Sequence, residues 1–223
     1  MDFIFDPSLV LYLPLYELDG ASFASRDAYG HLCTVTGALW RPQGRWFDNS
    51  DDVIKCGSAA SLNDITAKTI ILWLYPSGLT QTSRPMTKAS LQADGWSALV
   101  HHTSKRFQYS QGFATQLGQW VTPDNSLVED NWQNFAVTYD RSSVDNDPVL
   151  YLNGVSQTVT EVNTPSGAVQ SDASQALWVG ARYNAGSPDK VWSGLIGEVL
   201  IYSRLFPPQE VQNIYLATKW RYR

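Results

Sequence analysis

From Asn131 to Tyr215 the apolar positions keep strict periods. Phe135, Val137 and Tyr139 alternate with Asn134, Ala136 and Thr138, the period-two pattern of a half-buried strand. Asp140-Arg141-Ser142-Ser143 breaks the run with turn formers, and Val149-Leu150-Tyr151-Leu152 reads as the return strand. Asn153-Gly154 follows at once. These two residues accept the positive φ of a type I′ turn, so a tight hairpin into 155–159 is predicted. Leu177 to Gly180 is a short apolar strand ended by glycine, and Leu195 to Tyr202 is another, introduced by Gly194. Pro207-Pro208 forces the chain out of the sheet and can open a helix. Val211, Ile214 and Tyr215 then recur at helical spacing, which predicts one short amphipathic helix.

The first half carries the same signals at wider spacing. Val10 to Tyr16 and Leu32 to Thr36 read as strands, and Asp51-Asp52-Val53-Ile54-Lys55 leads into another. Ile70 to Leu74 is an unbroken apolar run, which suits a strand buried on both faces. Residues 77–84 read as a loop and 85–89 as short and irregular. Trp96 to His102 and Arg106 to Tyr109 predict a hairpin around Thr103-Ser104-Lys105. The stretch 111–131 is the least patterned and holds Trp120 in a polar setting. There are no internal repeats, low-complexity tracts or linkers of boundary character, so one domain over residues 1–223 is expected.

Composition narrows the class. Apolar content of 43% with 17% charge describes a soluble globular chain, and 223 residues suffice for one sandwich core. A formal net charge of −5 with no basic run argues against nucleic acid or an anionic membrane as the main partner. The apolar run from Leu9 to Tyr16 is too short to span a bilayer, so no membrane insertion is expected. It also lacks a basic segment before it, with Asp2 and Asp6 instead, so it does not read as a signal peptide. Cys33 and Cys56 lie in predicted strands beside Val35 and Ile54. A disulfide between them would stabilise by roughly 3 kcal/mol, and two buried free thiols fit the same positions.

The strand and hairpin motifs together resemble the laminin-G-like branch of the concanavalin A-like lectin/glucanase superfamily. The residues carrying the likeness are Trp132, Ala136, Val137, Tyr139 and Asp140; then Leu150, Tyr151, Asn153 and Gly154; then Leu177 and Gly180. Gly194, Ile196, Glu198, Val199, Ile201, Tyr202 and Glu210 close the series. The first half adds Tyr16, Asp27, Gly30, Thr34, Gly37, Phe47, Asp48, Asp52 and Val53, with Thr69 and Trp73 on the next strand. The likeness implies an all-β jelly-roll sandwich of two antiparallel sheets with one short C-terminal helix. One position departs from it: Gly197 stands where the family usually has Asp.

Catalytic machinery does not follow from the likeness. Glycosidases on this fold set carboxylates two residues apart on one strand, close enough for acid and nucleophile roles. The chain has Glu17, Glu129, Glu161, Glu198 and Glu210, and none has such a partner within a strand-like run. Glu17 and Asp19 are two apart but sit at a strand end beside Gly20. No nucleophile elbow, zinc-protease helix, C-x-x-C or phosphate loop is present, so no enzyme is expected. His101 and His102 are adjacent, and neighbouring strand positions face opposite sides, so they do not chelate one ion together.

Calcium is the metal the resemblance implies, held between the early D-x-x-G loop and the later strand. Asp27, the carbonyl of Tyr29 and Glu198 are the positions that match, and Gly197 removes a ligand from the second segment. The ordinary alternative is that Asp27 is a loop residue bonding its own backbone. Asp48, Asn49, Asp51 and Asp52 read as an acidic turn. For carbohydrate, the residues to watch are Trp96, His102, Tyr109, Trp120, Tyr183 and Trp192, since sugars stack on exposed aromatic faces. Tyr183 and Trp192 flank a Gly/Ser/Pro/Asp loop, 184–190. Each could equally pack on the sheet, as large aromatics do in sandwich cores.

The expected function is a non-catalytic, lectin-like module for carbohydrate or another surface ligand, acting outside the cell or on a cell or virion surface. A structural or assembly protein of a virion or cell surface, such as a phage tail or capsid decoration, is the alternative. Its partners would be other virion or surface proteins. A glycan-active enzyme is the minor alternative. Fold likeness alone does not choose among them.

Overall fold

The apolar run at Ile70 lies inside a ten-residue strand, Ala67–Pro76, at the centre of the first of two antiparallel sheets. The computed structural model describes residues 3–90 and 94–223. In chain order the strands are β1 Leu9–Pro14, β2 Ser22–Ala24, β3 Leu32–Thr36, β4 Leu39–Arg41, β5 Gly44–Asp48, β6 Val53–Gly57, β7 Ala67–Pro76, β8 Ser83–Lys88, β9 Trp96–His101 and β10 Arg106–Gln111. They continue as β11 Gly118–Val121, β12 Gln133–Asp140, β13 Val149–Leu152, β14 Val155–Ser156, β15 Thr160–Asn163, β16 Leu177–Val179, β17 Arg182–Asn184, β18 Ser187–Asp189 and β19 Ser193–Tyr202. Helix α1, Pro208–Thr218, follows.

Sheet A runs β14-β13-β12-β7-β19-β5-β4, with β1 also pairing β19. Sheet B runs β15-β11-β10-β9-β8-β16-β6-β3-β2. A separate hairpin, β17-β18, lies beside β8 and β16. The two large sheets face each other across the main core. Ile70, Leu72 and Leu74 of β7 point into it, as do Phe135 and Val137 of β12 and Val100 and Phe107 of sheet B. Ile71 of the same strand β7 points the other way, onto α1 with Ala136 and Leu200. The central strand is therefore buried on both faces, as its unbroken apolar run predicts. Asn153 and Gly154 both adopt positive φ, 51° and 76°, which gives the tight turn. Pairing after it stops at Ser156, because β14 is an exposed edge.

Helix α1 begins at Pro208 and buries Val211, Ile214 and Thr218. The segment after it folds back over sheet A. Trp73 donates from Nε1 to Thr218 Oγ1 at 2.9 Å and stacks on Tyr222 with centroids 4.4 Å apart. Gln43 donates to the Arg221 carbonyl at 2.9 Å, and the Arg221 guanidinium meets the Glu198 carboxylate. Gly197 explains itself here. A Cβ at that position would lie 2.3 Å from the Tyr222 ring, so the family's Asp is incompatible with this seat for the tail.

Strand β8 is the largest departure from expectation. Ser83-Arg84-Pro85-Met86-Thr87-Lys88 reads as loop and irregular chain, yet it is an interior strand of sheet B and every residue in it is buried. The Lys88 charge is met from far along the chain. Lys88 Nζ donates to the carbonyls of Asp172 at 2.7 Å and Gln175 at 2.6 Å, with the Asp172 carboxylate 3.4 Å away. A buried ammonium is tolerable only with such partners. Strands β11 and β15, in stretches without clear pattern, and the β17-β18 hairpin, which falls in the expected loop 184–190, are likewise added by pairing.

Candidate functional site

Alternation along β16 decides which side chains turn away from the core between the sheets. Leu177 and Val179 face the core, so Trp178 between them faces outward from sheet B. The same logic turns Lys55 of β6 and Thr34 of β3 outward, since Ile54, Cys56 and Cys33 point in. Register then lines up one outward residue per strand. Thr34 opposes Lys55, Lys55 opposes Trp178, and Trp178 opposes Thr87. The row goes on through Ser97, Ser110, Gln119 and Asn163. It is a strip of hydroxyls and amides with an aromatic near one end. The strip is wired internally: Thr87 and Ser97 hydroxyls are 2.7 Å apart, and Asn163 Nδ2 donates to Gln119 Oε1 at 2.7 Å.

At the aromatic end the β17-β18 hairpin builds a wall. Val53, Trp178, Ala181 and Val191 form a small apolar cluster that anchors it to the sheet. Tyr183 on β17 meets Trp178 edge-on with centroids 5.4 Å apart and remains 40% exposed. A cleft of about 540 Å³ opens there, lined by Thr34, Lys55, Ser174, Gln175, Trp178 and Tyr183, among others. The Lys55 ammonium lies 4.9 Å from the Trp178 ring centroid, a cation–π contact that covers the indole. Lys55 is the one charged group in the lining, and among the described residues no carboxylate borders the cleft. The arrangement offers an exposed ring, hydroxyl and amide hydrogen-bonding groups and one cation. It offers no acid–base pair.

The expected ligand residues divide sharply. Tyr183 is in this cleft. Trp96, Tyr109, Trp120 and Trp192 are at most 2% exposed and belong to the core between the sheets, so they are corrected from surface to packing residues. Their polar atoms are used internally: Trp120 Nε1 donates to Asp147 at 2.7 Å, and Tyr109 OH donates to Gln111 at 3.0 Å. A tryptophan satisfied this way gains more from burial than from standing at a surface. His102 is half-buried in the turn after β9, with Nε2 3.1 Å from Thr103 Oγ1, away from the cleft lining. Trp178, Lys55 and Thr34 are the cleft residues that pattern reading did not single out. The signal for Trp178 was present: an aromatic flanked on both sides by core residues in a strand must face away from that core.

The expected calcium set does not fit an ion. Asp27 Oδ1 accepts the Tyr29 and Gly30 amides at 2.9 and 3.2 Å, and Oδ2 accepts the Tyr12 amide at 3.0 Å. That is the self-bonded loop. Glu198 is fully buried on sheet A, where it accepts from Tyr12 OH at 3.3 Å and pairs with Arg221. A guanidinium already occupies the place a cation would take. Burial outweighs Arg221 there and pushes the Glu198 carboxyl up to about 7. Asp27, Tyr29 and Glu198 are thus corrected to structural roles. Asp48, Asp51 and Asp52 do bring one oxygen each within 4.8 Å of one another. Two of them are engaged in the turn, since Asp52 accepts the Asp48 amide at 2.9 Å and Asp48 accepts the Ser50 amide at 2.9 Å. Burial raises Asp52 to about 6.

A family profile described as the concanavalin A-like lectin/glucanases superfamily, of laminin G type, matches residues 48–212. The chain belongs to this superfamily. No curated protein matches it in sequence. Among solved structures, the binding domain of Paraclostridial Mosquitocidal Protein 1 is similar with a TM-score of 0.70 and 14% identity, covering 94% of this chain and 52% of that one. The botulinum neurotoxin serotype D binding domain gives 0.71 and 13%, covering 95% and 52%. Trypanosoma rangeli sialidase gives 0.69 and 15%, covering 98% and 34%. This superfamily member therefore spans about half of the toxin binding domains and a third of the sialidase. At such identities the likeness is one of fold.

Proposed function

We propose that the chain is a non-catalytic binding module that takes a carbohydrate or glycoconjugate in the cleft between Tyr183, Trp178 and Lys55. The observation that carries this reading is the Tyr183–Trp178 pair held edge-on at 5.4 Å, with a 40% exposed ring over a cleft bordered by hydroxyl and amide groups. A sugar presents apolar C–H faces and many hydroxyls, and this surface matches both. Thr34, Ser174 and Gln175 supply the hydroxyl and amide partners in the cleft, while Thr87, Ser97 and Ser110 farther along the row are at most 5% exposed and bond within the sheet. The lining groups are hydroxyls, amides, rings and the Lys55 ammonium, which suit stacking and hydrogen bonding to a sugar. Such a ligand is met at a cell or virion surface, and the module acts there. No helix of the described residues is long and apolar enough to cross a membrane, and the proposal places no segment in one.

A broad glycan array, probed with and without chelator, tests the reading. The expected result is binding that is unchanged by chelator and lost in Tyr183→Ala, while that variant keeps its thermal midpoint. Binding lost with chelator would move the site to the acidic turn at Asp48. A blank array from folded protein would remove the lectin reading and leave assembly on a virion or cell surface.

A further inference from the structure

Cys33 on β3 and Cys56 on β6 are both free and buried, and their sulfurs lie 3.3 Å apart. The register that pairs Thr34 with Lys55 and Val35 with Ile54 puts position 33 directly across from position 56. Residues opposed in an antiparallel pair have Cα atoms about 4.5–5.5 Å apart. A disulfide spans Cα separations of about 4.4–6.8 Å, so the backbone already has the required spacing. Closing the sulfurs from 3.3 Å to a bond of about 2.0 Å needs side-chain rotation and no change of register.

We propose that Cys33 and Cys56 are an oxidisable pair that closes into a cross-strand disulfide when the chain folds in contact with a disulfide oxidant such as oxidised glutathione. One cysteine thiolate attacks a glutathione sulfur, expels one glutathione thiolate and leaves a mixed disulfide. The second cysteine thiolate attacks the protein sulfur of that bond and expels the other glutathione. Two electrons pass from the cysteine pair to the oxidant, and the two thiol protons end on the two glutathione products. The Cys56 thiol is held well above its usual range by its hydrogen bond to Cys33, by burial, and by the charges of Cys33 and Asp27. Both sulfurs are also buried, so an external disulfide reaches the folded dithiol slowly. Reaction is fastest during folding, before the three-residue edge strand β2 closes over β3.

The position of the pair gives the bond a consequence. Thr34 and Lys55 are the sequence neighbours of the two cysteines and turn to the opposite face, where both line the cleft. The disulfide ties together the two strands that carry them. That consequence rests on the proposed binding site; formation of the bond does not.

The test refolds the full chain from denaturant in a glutathione redox mixture and, in parallel, in reductant. The first product should be monomeric, lighter by about 2 Da, and free of alkylatable thiol. The cysteines are 23 positions apart, and closing such a loop should raise the thermal midpoint by about 6–10 °C. Amide exchange at residues 33–35 and 54–56 should slow. The double variant Cys33→Ala, Cys56→Ala should show the same midpoint in both conditions. Two alkylatable thiols after oxidative refolding, or cross-linked dimers in place of the monomer, would overturn the proposal. Failure of the glycan array would leave this result untouched.

Discussion

The two outer faces of the sandwich are treated in opposite ways. The outer face of sheet A is closed by the chain's own C-terminus: α1 covers Ile71, Ala136 and Leu200, and Tyr222 covers Trp73 and Gly197. The outer face of sheet B receives the short hairpin β17-β18 and presents Thr34 and Lys55 beside it, while Thr87, Ser97 and Ser110 farther along the row are at most 5% exposed. Aromatic residues are plentiful on sheet A but locked in a stack with one another. On the outer side of sheet B, Trp178 meets Tyr183 of the β17-β18 hairpin, and Tyr183 stands 40% exposed at the mouth of a cleft. The lesson is that aromatic supply says little about a binding face. What matters is whether another part of the chain has already claimed the rings.

This contrast breaks if the buried tryptophans belong to the open face. Trp120→Ala should destabilise by about 3–5 kcal/mol in urea denaturation, because it empties a fully buried site. A loss under about 1 kcal/mol would return Trp120 to the surface.

The next largest effect concerns the closed face and is read by pH. Glu198 is pushed up to about 7 in the folded chain from an ordinary 4.5. Between those values the native state holds a proton that the unfolded state has lost. The Glu198 contribution is thus present below about 4.5 and falls away as pH rises through 7, a change on the order of 3 kcal/mol. Glu198→Gln should flatten that part of the stability profile. An unchanged slope would mean that the Arg221 pair keeps the carboxylate ionised.

Gly197→Asp should cost about 2 kcal/mol by driving Tyr222 from its seat. Adding Tyr222→Ala should make the aspartate nearly neutral relative to Tyr222→Ala alone, a double-mutant coupling measured by the same denaturation. Additive losses would mean the tail does not rest on Gly197. The smallest change in stability should come from the open face. Tyr183→Ala is expected within about 0.5 kcal/mol of wild type in stability. It should nevertheless weaken array glycan binding at least tenfold, about 1.4 kcal/mol.

The strands whose side chains alternate cleanly are legible in the order of residues alone: Gln133–Asp140, Val149–Leu152, the Asn153-Gly154 turn and the Pro208 helix start all follow from local rules. The central strand is legible from its unbroken apolar run. Strand β8 is not, because Arg84 and Lys88 argue against burial, and the partners that receive Lys88, Asp172 and Gln175, lie far along the chain. The candidate site is half legible. Tyr183 follows from its loop, whereas Trp96, Tyr109, Trp120 and Trp192 cannot be sorted into core or surface without knowing which sheet face opposes them.

The order of residues fixes the alternating strands, the tight turn and the one short helix, and its resemblance to the concanavalin A-like superfamily implies the sandwich. Period-two patterning, turn residues and prolines act over a few positions, and that range is what a single chain displays. Tertiary structure alone decided which residues are available to bind. The row from Thr34 through Lys55 and Trp178 to Thr87 joins four strands scattered along the chain, and register sets it. The closing of one face by Tyr222 and the opening of the other by Tyr183 depend in the same way on contacts between distant segments, which no local period records.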